Sequence, residues 1–192
     1  MKPFVYGKAP AHGDFVARGL GDAAEAAWDQ WLSGQIAQAR ERLGAGFETA
    51  HDHAPPWRFI AGPSALGEGW RTGAFTASID SVGRRFVLVG GLEGLTAAEA
   101  ASLGVGLCDA AEYALRRALI EGLNADALLQ VLGQAEPTAP VRAATLALAP
   151  LPATDGVWWS ADGLDLATGA EPPEGLIVQA LTRLTPASET AP

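Results

Sequence analysis

Two apolar segments joined by five residues restrict what this chain can fold into. Gly73 to Ile79 and Arg85 to Gly90 both read as strands, and the link Asp80 to Arg84 contains Gly83, which suits a hairpin turn. A link this short makes the two strands antiparallel. Phe4-Val5-Tyr6, Trp57 to Ala61, Thr145 to Leu148 and Val157 to Ser160 are further short strand candidates, the last closed by Ala161-Asp162-Gly163. Lys8 to Gly21, Gly46 to Pro56 and Gly62 to Arg71 carry glycine or proline and read as connections, as does Gly133 to Pro140.

Other segments switch to the helical period. From Ala23 to Leu43 the residues Ala24, Trp28, Trp31, Leu32, Ile36, Ala39 and Leu43 fall on one stripe. Asp22 is the expected N-cap, with Glu25 three residues later, and Gly44 the expected stop. Thr96 with Glu99 forms a capping box for a helix from Ala97 to Glu121, with Leu103, Leu107, Ala111, Leu115 and Leu119 on one face. Gly104 and Gly106 weaken its middle by ~1 kcal/mol each relative to Ala; two small residues there also permit close packing on a sheet. A short helix from N-cap Asn124 to Leu132 and a last one from Gly175 to Leu184 complete the set. Regular βαβ alternation is absent, so a doubly wound nucleotide-binding sheet is disfavoured. The expected fold is α/β, a three-layer α/β/α sandwich around a mixed, mostly antiparallel sheet of about five strands. Residues 1–184 form one expected domain, and 185–192, polar with two prolines, a loose tail.

The formal net charge of -9, from 13 basic and 22 acidic residues, repels phosphate backbones. It argues against nucleic-acid binding and against an anionic membrane surface. No apolar run approaches the ~20 residues of a membrane span, and Met1 to Phe15 lacks the apolar core of a signal peptide. The expected location is the cytoplasm, with no membrane insertion. Cys108 is the sole cysteine, so no intramolecular disulfide forms, and its apolar helical surroundings read as core.

The residues with chemical potential lie mostly in loops. Gly7-Lys8-Ala9-Pro10-Ala11-His12-Gly13-Asp14 opens like a phosphate loop but lacks the second glycine followed by Lys and Ser/Thr, and Pro10 removes an amide. It reads better as a tight loop with Gly13 at positive φ and Asp14 capping a turn. His12 and Asp14 could pair as acid and base, yet no nucleophile signature accompanies them. His51-Asp52-His53 lacks the further ligands of a closed zinc site and reads as solvated loop. Trp28 and Trp31 face one core. Asp29 between them points elsewhere and is a candidate partner for an arginine. Trp57-Arg58-Phe59 alternates, with its aromatics inward and Arg58 outward or into a polar cleft. Trp158 and Trp159 must face opposite sides of their strand, so one of them is either an interface anchor or covered by a helix. Asp80 and Arg84 flank the glycine turn. If Lys8, Arg18, Arg58 and Arg84 gather with Asp14, Asp29 and Asp80, they form either a recognition site or a buried network that fixes the loops.

Several of these segments together resemble the amino-terminal domain of the TagF (ImpM) family of type VI secretion accessory proteins. That family's loops read Gly-Lys-x-Pro-x-His-Gly-Asp-Phe, Trp-Asp-x-Trp-Leu, Pro-x-Trp-Arg-Phe and Pro-Ser-x-Asp-x-x-Gly-Arg-x-Phe-Pro. The chain supplies Gly7, Lys8, Pro10, His12, Gly13, Asp14 and Phe15; Trp28, Asp29, Trp31 and Leu32; Trp57, Arg58 and Phe59; and Ser78, Asp80, Gly83, Arg84 and Phe86. It departs at Ala77 and Val87, where prolines are usual, and so frees two amides for strand pairing. The resemblance covers Met1 to Val89, with Thr96 to Leu132 similar in pattern. It implies the same kind of sandwich, with a likeness to longin or roadblock modules that is one of fold alone. It also implies a non-enzymatic regulator without cofactor or metal, a post-translational repressor that binds a forkhead-associated-domain scaffold protein. A separate phosphatase and kinase pathway would stand beside it. The implied partner-binding residues are Lys8, His12, Asp14, Arg18, Asp29, Arg58, Ser78, Asp80 and Arg84. Two other classes compete: a small metal-assisted or acid/base hydrolase using His12, Asp14 and Asp80, and a structural subunit docked by a sheet edge or by Trp158 and Trp159.

Overall fold

The computed structural model describes residues 1–64, 66–136, 156–163 and 166–184. In chain order the elements are β1 (Lys2–Lys8), β2 (Phe15–Arg18), α1 (Asp22–Leu43), α2 (Phe47–Asp52), β3 (Trp57–Ala61), β4 (Trp70–Ile79), β5 (Arg85–Leu95), α3 (Ala97–Glu121), α4 (Ala125–Gly133), β6 (Gly156–Ser160), β7 (Leu166–Gly169) and α5 (Leu176–Leu184). They build one open sheet of seven strands in the order β2-β1-β5-β4-β3-β6-β7. Every neighbouring pair is antiparallel. The sheet is thus wider than the expected five strands and is not mixed. The two additions are its edges. β2 lies inside Lys8 to Gly21, expected as loop, and each edge strand has four residues, too few to display a period. Thr145 to Leu148 and the tail from Thr185 lie outside the described residues.

The central hairpin runs from Trp70 to Leu95, and Ala77 stands opposite Val87 in its register. The two positions that depart from the family pattern are therefore cross-strand partners inside a ladder. The turn closes through Gly83 N–H to the Asp80 carbonyl at 3.0 Å, with Gly83 at φ 85°. Gly7, at φ 120°, packs against β5 so closely that a Cβ would lie 2.1 Å from the Val87 carbonyl oxygen. Gly7 and Gly83 are thus the loop motifs' positive-φ glycines; Gly13, expected in that role, is not among them.

Helices cover both faces. Trp28, Leu32 and Ile36 of α1, Phe47 of α2 and Ile177 of α5 pack with Phe4, Tyr6, Trp57, Phe59, Phe75 and Trp158. On the other face, α3 and α4 bring Ala111, Ala114, Leu115, Leu128 and Leu132 against Val5, Ala74 and Leu88. Leu107 and Cys108 of α3 meet Ile60, Val157 and Trp159. Trp158 and Trp159 take opposite faces, and both are buried. The capping box of Thr96 and Glu99 forms reciprocally, and Asn124 Oδ1 accepts from Ala127 N–H at 2.9 Å. α1 starts one residue earlier than expected, with Gly21 as N-cap and no side-chain bond; Asp22 lies in the first turn, where its charge still favours the helix dipole.

Candidate functional site

Asp80 organises the end of the sheet where the loop motifs meet. Its Oδ2 accepts from Lys8 Nζ at 2.6 Å and from Arg84 Nε at 2.6 Å. Its Oδ1 accepts from Arg84 N–H at 2.8 Å and Val82 N–H at 3.1 Å. Lys8 and Asp80 are 5% and 2% exposed, so this is a buried pair whose charge is compensated on the spot. Burial pushes the Asp80 carboxyl up. The hydrogen bonds from Lys8, from Arg84 and from the Val82 amide outweigh it and hold the carboxyl well below the usual carboxylate range. Lys8 Nζ also lies 4.8 Å from the centroid of the Phe15 ring. That ring, 44% exposed, meets Phe86 edge-on at 4.9 Å.

The turn grips the first loop as well. Ser81 N–H donates to the His12 carbonyl at 2.9 Å, and Arg84 Nη2 donates to the Gly13 carbonyl. His12 Nε2 accepts the Ala125 N–H at 3.0 Å and so serves the first turn of α4. Asp14 Oδ1 accepts from Phe15 N–H at 2.9 Å. Ser78, buried opposite Phe86, has a single long contact of 3.5 Å to the Ile79 carbonyl.

Three of the expected residues lie elsewhere. Arg18 pairs with Asp126 of α4 at 2.6 Å on an exposed flank. Among the described residues Asp29 has no arginine partner; it accepts from Tyr6 Oη at 2.6 Å and Ser33 Oγ at 3.3 Å. Burial and this bond push the Tyr6 phenol up. Arg58 projects to the face of α3 and pairs with Asp109 and Glu112, each at 2.7 Å. Its register opposite Ala74, well short of the end of β4, keeps it away from the Asp80 turn. The single cluster expected of seven charged residues is therefore a smaller constellation of Lys8, Asp80 and Arg84 with the backbone of His12 and Gly13.

Other residues take places that the sequence reading did not give them or did not consider. His51 is not a solvated loop residue. It sits in α2, 2% exposed, with Nε2 2.6 Å from the Phe86 carbonyl. Asp52 beside it takes a two-point bond from Arg85 at 2.9 and 2.8 Å. That bond, against partial burial and with help from His51, lowers the Asp52 carboxyl to about 2. Arg71, in β4, is a second buried cation, 3.8 Å from Glu93, and burial lowers its pKa. Cys108 is core as expected; burial pushes its thiol up to about 11.

Open clefts border α1, and two of them reach the loop motifs. One, of about 540 Å³, lies between α1, α2 and the β4–β5 turn and is lined by Lys8, Ile36, Arg40, Glu48, Arg84 and Arg85 among others. The second, of about 410 Å³, is lined by Tyr6, Phe15, Asp22, Glu25, Ala26 and Asp29. Arg40 and Arg85 belonged to no expected site. Arg85 follows the motif arginine directly, and Arg40 stands one turn beyond Ile36 on the α1 stripe.

Among the described residues no helix is long and apolar enough to cross a membrane. The family described as TagF N-terminal domain, type VI secretion system-associated, matches residues 5–135. No curated protein matches. Among solved structures, the crystal structure of PA0076 from Pseudomonas aeruginosa PAO1 is similar. It is 27% identical with a TM-score of 0.73, and the match covers 100% of this chain and 97% of that one.

Proposed function

The chain belongs to the TagF N-terminal domain family of type VI secretion system-associated proteins, and from that premise we propose that it is a non-enzymatic cytoplasmic regulator. It represses the secretion system after translation by binding a forkhead-associated-domain scaffold protein and holding it inactive. Residues 1–184 act as one domain, and the binding surface is the Lys8–Arg18 loop with the Asp80–Arg84 turn. The observation that carries this reading is the closed bonding of the motif residues. Lys8, Asp80 and Arg84 hold two loops in one shape and leave Phe15, Val82 and much of Arg84 exposed around them. Rigid loops that present a few side chains suit recognition.

The same bonding weighs against a hydrolase. His12 Nε2 is committed to the Ala125 amide, and Asp80 takes donors on both oxygens. Asp14 is held by its neighbour's amide, so the three do not converge on one reacting atom. Burial of Trp158 and Trp159 weighs against the tryptophan-docked form of the structural-subunit alternative, whose other docking element is a sheet edge.

The test is capture from source cells with the tagged protein, read by mass spectrometry. Recovery of a forkhead-associated-domain scaffold, reduced for Arg84→Ala, is the expected result. Capture that yields no secretion-system component would overturn the reading.

A further inference from the structure

We propose that the cleft between α1, α2 and the β4–β5 turn binds an acidic peptide segment of a partner, with Arg40, Arg84 and Arg85 facing its carboxylates. This deepens the proposed partner-binding function and rests on it for biological meaning, though not on the scaffold's identity. The cleft's lining includes four of the chain's 13 basic residues and one of its 22 acidic ones, Glu48. Such a local excess is unexpected in a chain of net charge -9, whose long-range field repels anions.

The cations differ in how far they are spent. Lys8 is buried against Asp80. Arg85 is engaged by Asp52 at 2.8 Å and Glu48 at 3.0 Å. Arg84 keeps a side chain 55% exposed while bonded to Asp80 and the Gly13 carbonyl. Arg40, exposed on α1, donates from Nη2 to the Arg85 carbonyl at 3.1 Å and stands 5.0 Å from the Phe47 ring centroid. Among the described residues it has no carboxylate partner. These bonds position Arg40 without neutralising it.

The arrangement favours a run of carboxylates over one phosphate. A bound phosphate draws several donors to a single point, often backbone amides. Here the Val82 and Arg84 amides already serve Asp80. Each arginine is tied to a different anchor, so the positive charges are spread along the cleft. Beside Arg40, exposed Ala37 offers a small apolar contact for an aliphatic side chain of the same segment.

The test is fluorescence anisotropy of a labelled peptide alternating Asp-Glu pairs with leucines, titrated with the full chain at low ionic strength. The expected result is saturable binding that weakens steeply with added salt. Arg40→Glu should weaken it about tenfold or more, since like charges at an interface are strongly unfavourable. Ala37→Glu, at an exposed helix position that makes no side-chain hydrogen bond, should weaken it as well. Ala37→Glu should melt with the wild type, which separates lost binding from lost folding. No binding of the acidic peptide, or equal binding by both variants, overturns the proposal. Displacement of the peptide by inorganic phosphate at comparable charge overturns it in favour of a phosphate site.

A parallel capture from cells keeps the two proposals apart. Scaffold recovered equally by wild type and Arg40→Glu sinks the cleft and spares the regulator. Peptide binding without any scaffold in the wild-type capture supports the cleft and sinks the regulator.

Discussion

The two faces of the sheet are filled by opposite means. Under α1 the space is taken by rings: Trp28 meets Phe59 at 5.5 Å and Phe4 at 5.9 Å, and Trp31 meets Trp158 at 5.0 Å and Phe75 at 5.9 Å. Under most of α3 it is taken by Ala, Gly, Val and Leu, with Trp159 only beside Leu107 and Cys108, and the helix lies close enough for Thr72 Oγ1 to donate to the Gly104 carbonyl at 2.9 Å. Helix separation follows the size of the side chains between. Large rings hold α1 away from the strands, and clefts of opposite charge open along its borders. Small residues let α3 lie flat. In this fold the face with the bulky core is the one that offers concave surface to a partner.

Removing a ring should be the most damaging test of that contrast. Trp28→Ala is expected to lose about 3–5 kcal/mol in a urea titration; a loss of under ~1 kcal/mol would mean the ring face collapses readily and is not a rigid spacer. On the opposite face the damage should come from adding atoms. A Cβ at Gly104 would lie 2.6 Å from Ile60 Cδ1, so Gly104→Val should cost about 1–3 kcal/mol despite the loss of a helix glycine. Gly34, mid-helix in α1 with open space around it, should behave the other way, and Gly34→Ala should raise stability by up to ~1 kcal/mol in the same assay. If both glycine substitutions shift the midpoint in the same direction, close approach is not what distinguishes α3.

Acid should produce the smallest effect and begin on the ring face. The Asp52 carboxyl is lowered to about 2 by Arg85, so its stabilising contribution is complete above the ordinary Asp value of ~3.9 and drains as pH falls through about 2. Asp52→Asn should lower the melting temperature slightly at neutral pH, where the contribution is complete, and the two profiles should converge as pH falls through about 2. An unaltered profile would show that the Arg85 contact contributes nothing in solution.

The sequence disclosed the fold wherever a period ran long enough. The α3 span, its capping box and the close-packing glycine were readable because each is a local signal. β2 and β7 were not, since four residues show no alternation even though each pairs with the strand just before it. Lys8 and Asp80 were legible as members of one set, 72 residues apart, because their motifs occur together. Arg58 was misplaced because its acidic partners on α3 lie 51 and 54 residues further on, with no local mark to point at them. His51 looked polar and exposed; its burial depends on a carbonyl of Phe86 that no short window contains. Arg40 carries no motif at all, and its place in a cleft exists only once α1 meets the hairpin.

The position of β1 between β2 and β5 has a consequence for how the chain is made. Lys2 pairs with Glu93 and Gly7 with Leu88, so β1 finds its inner neighbour only after the central hairpin has been synthesised. At ~5–20 residues per second that interval is several seconds. During it Phe4, Val5 and Tyr6 have β2 alone, a four-residue ribbon that is marginal by itself. The hairpin from Trp70 to Leu95 can close as soon as it emerges. β1 is therefore made well before the central hairpin and is fixed in the sheet only after it.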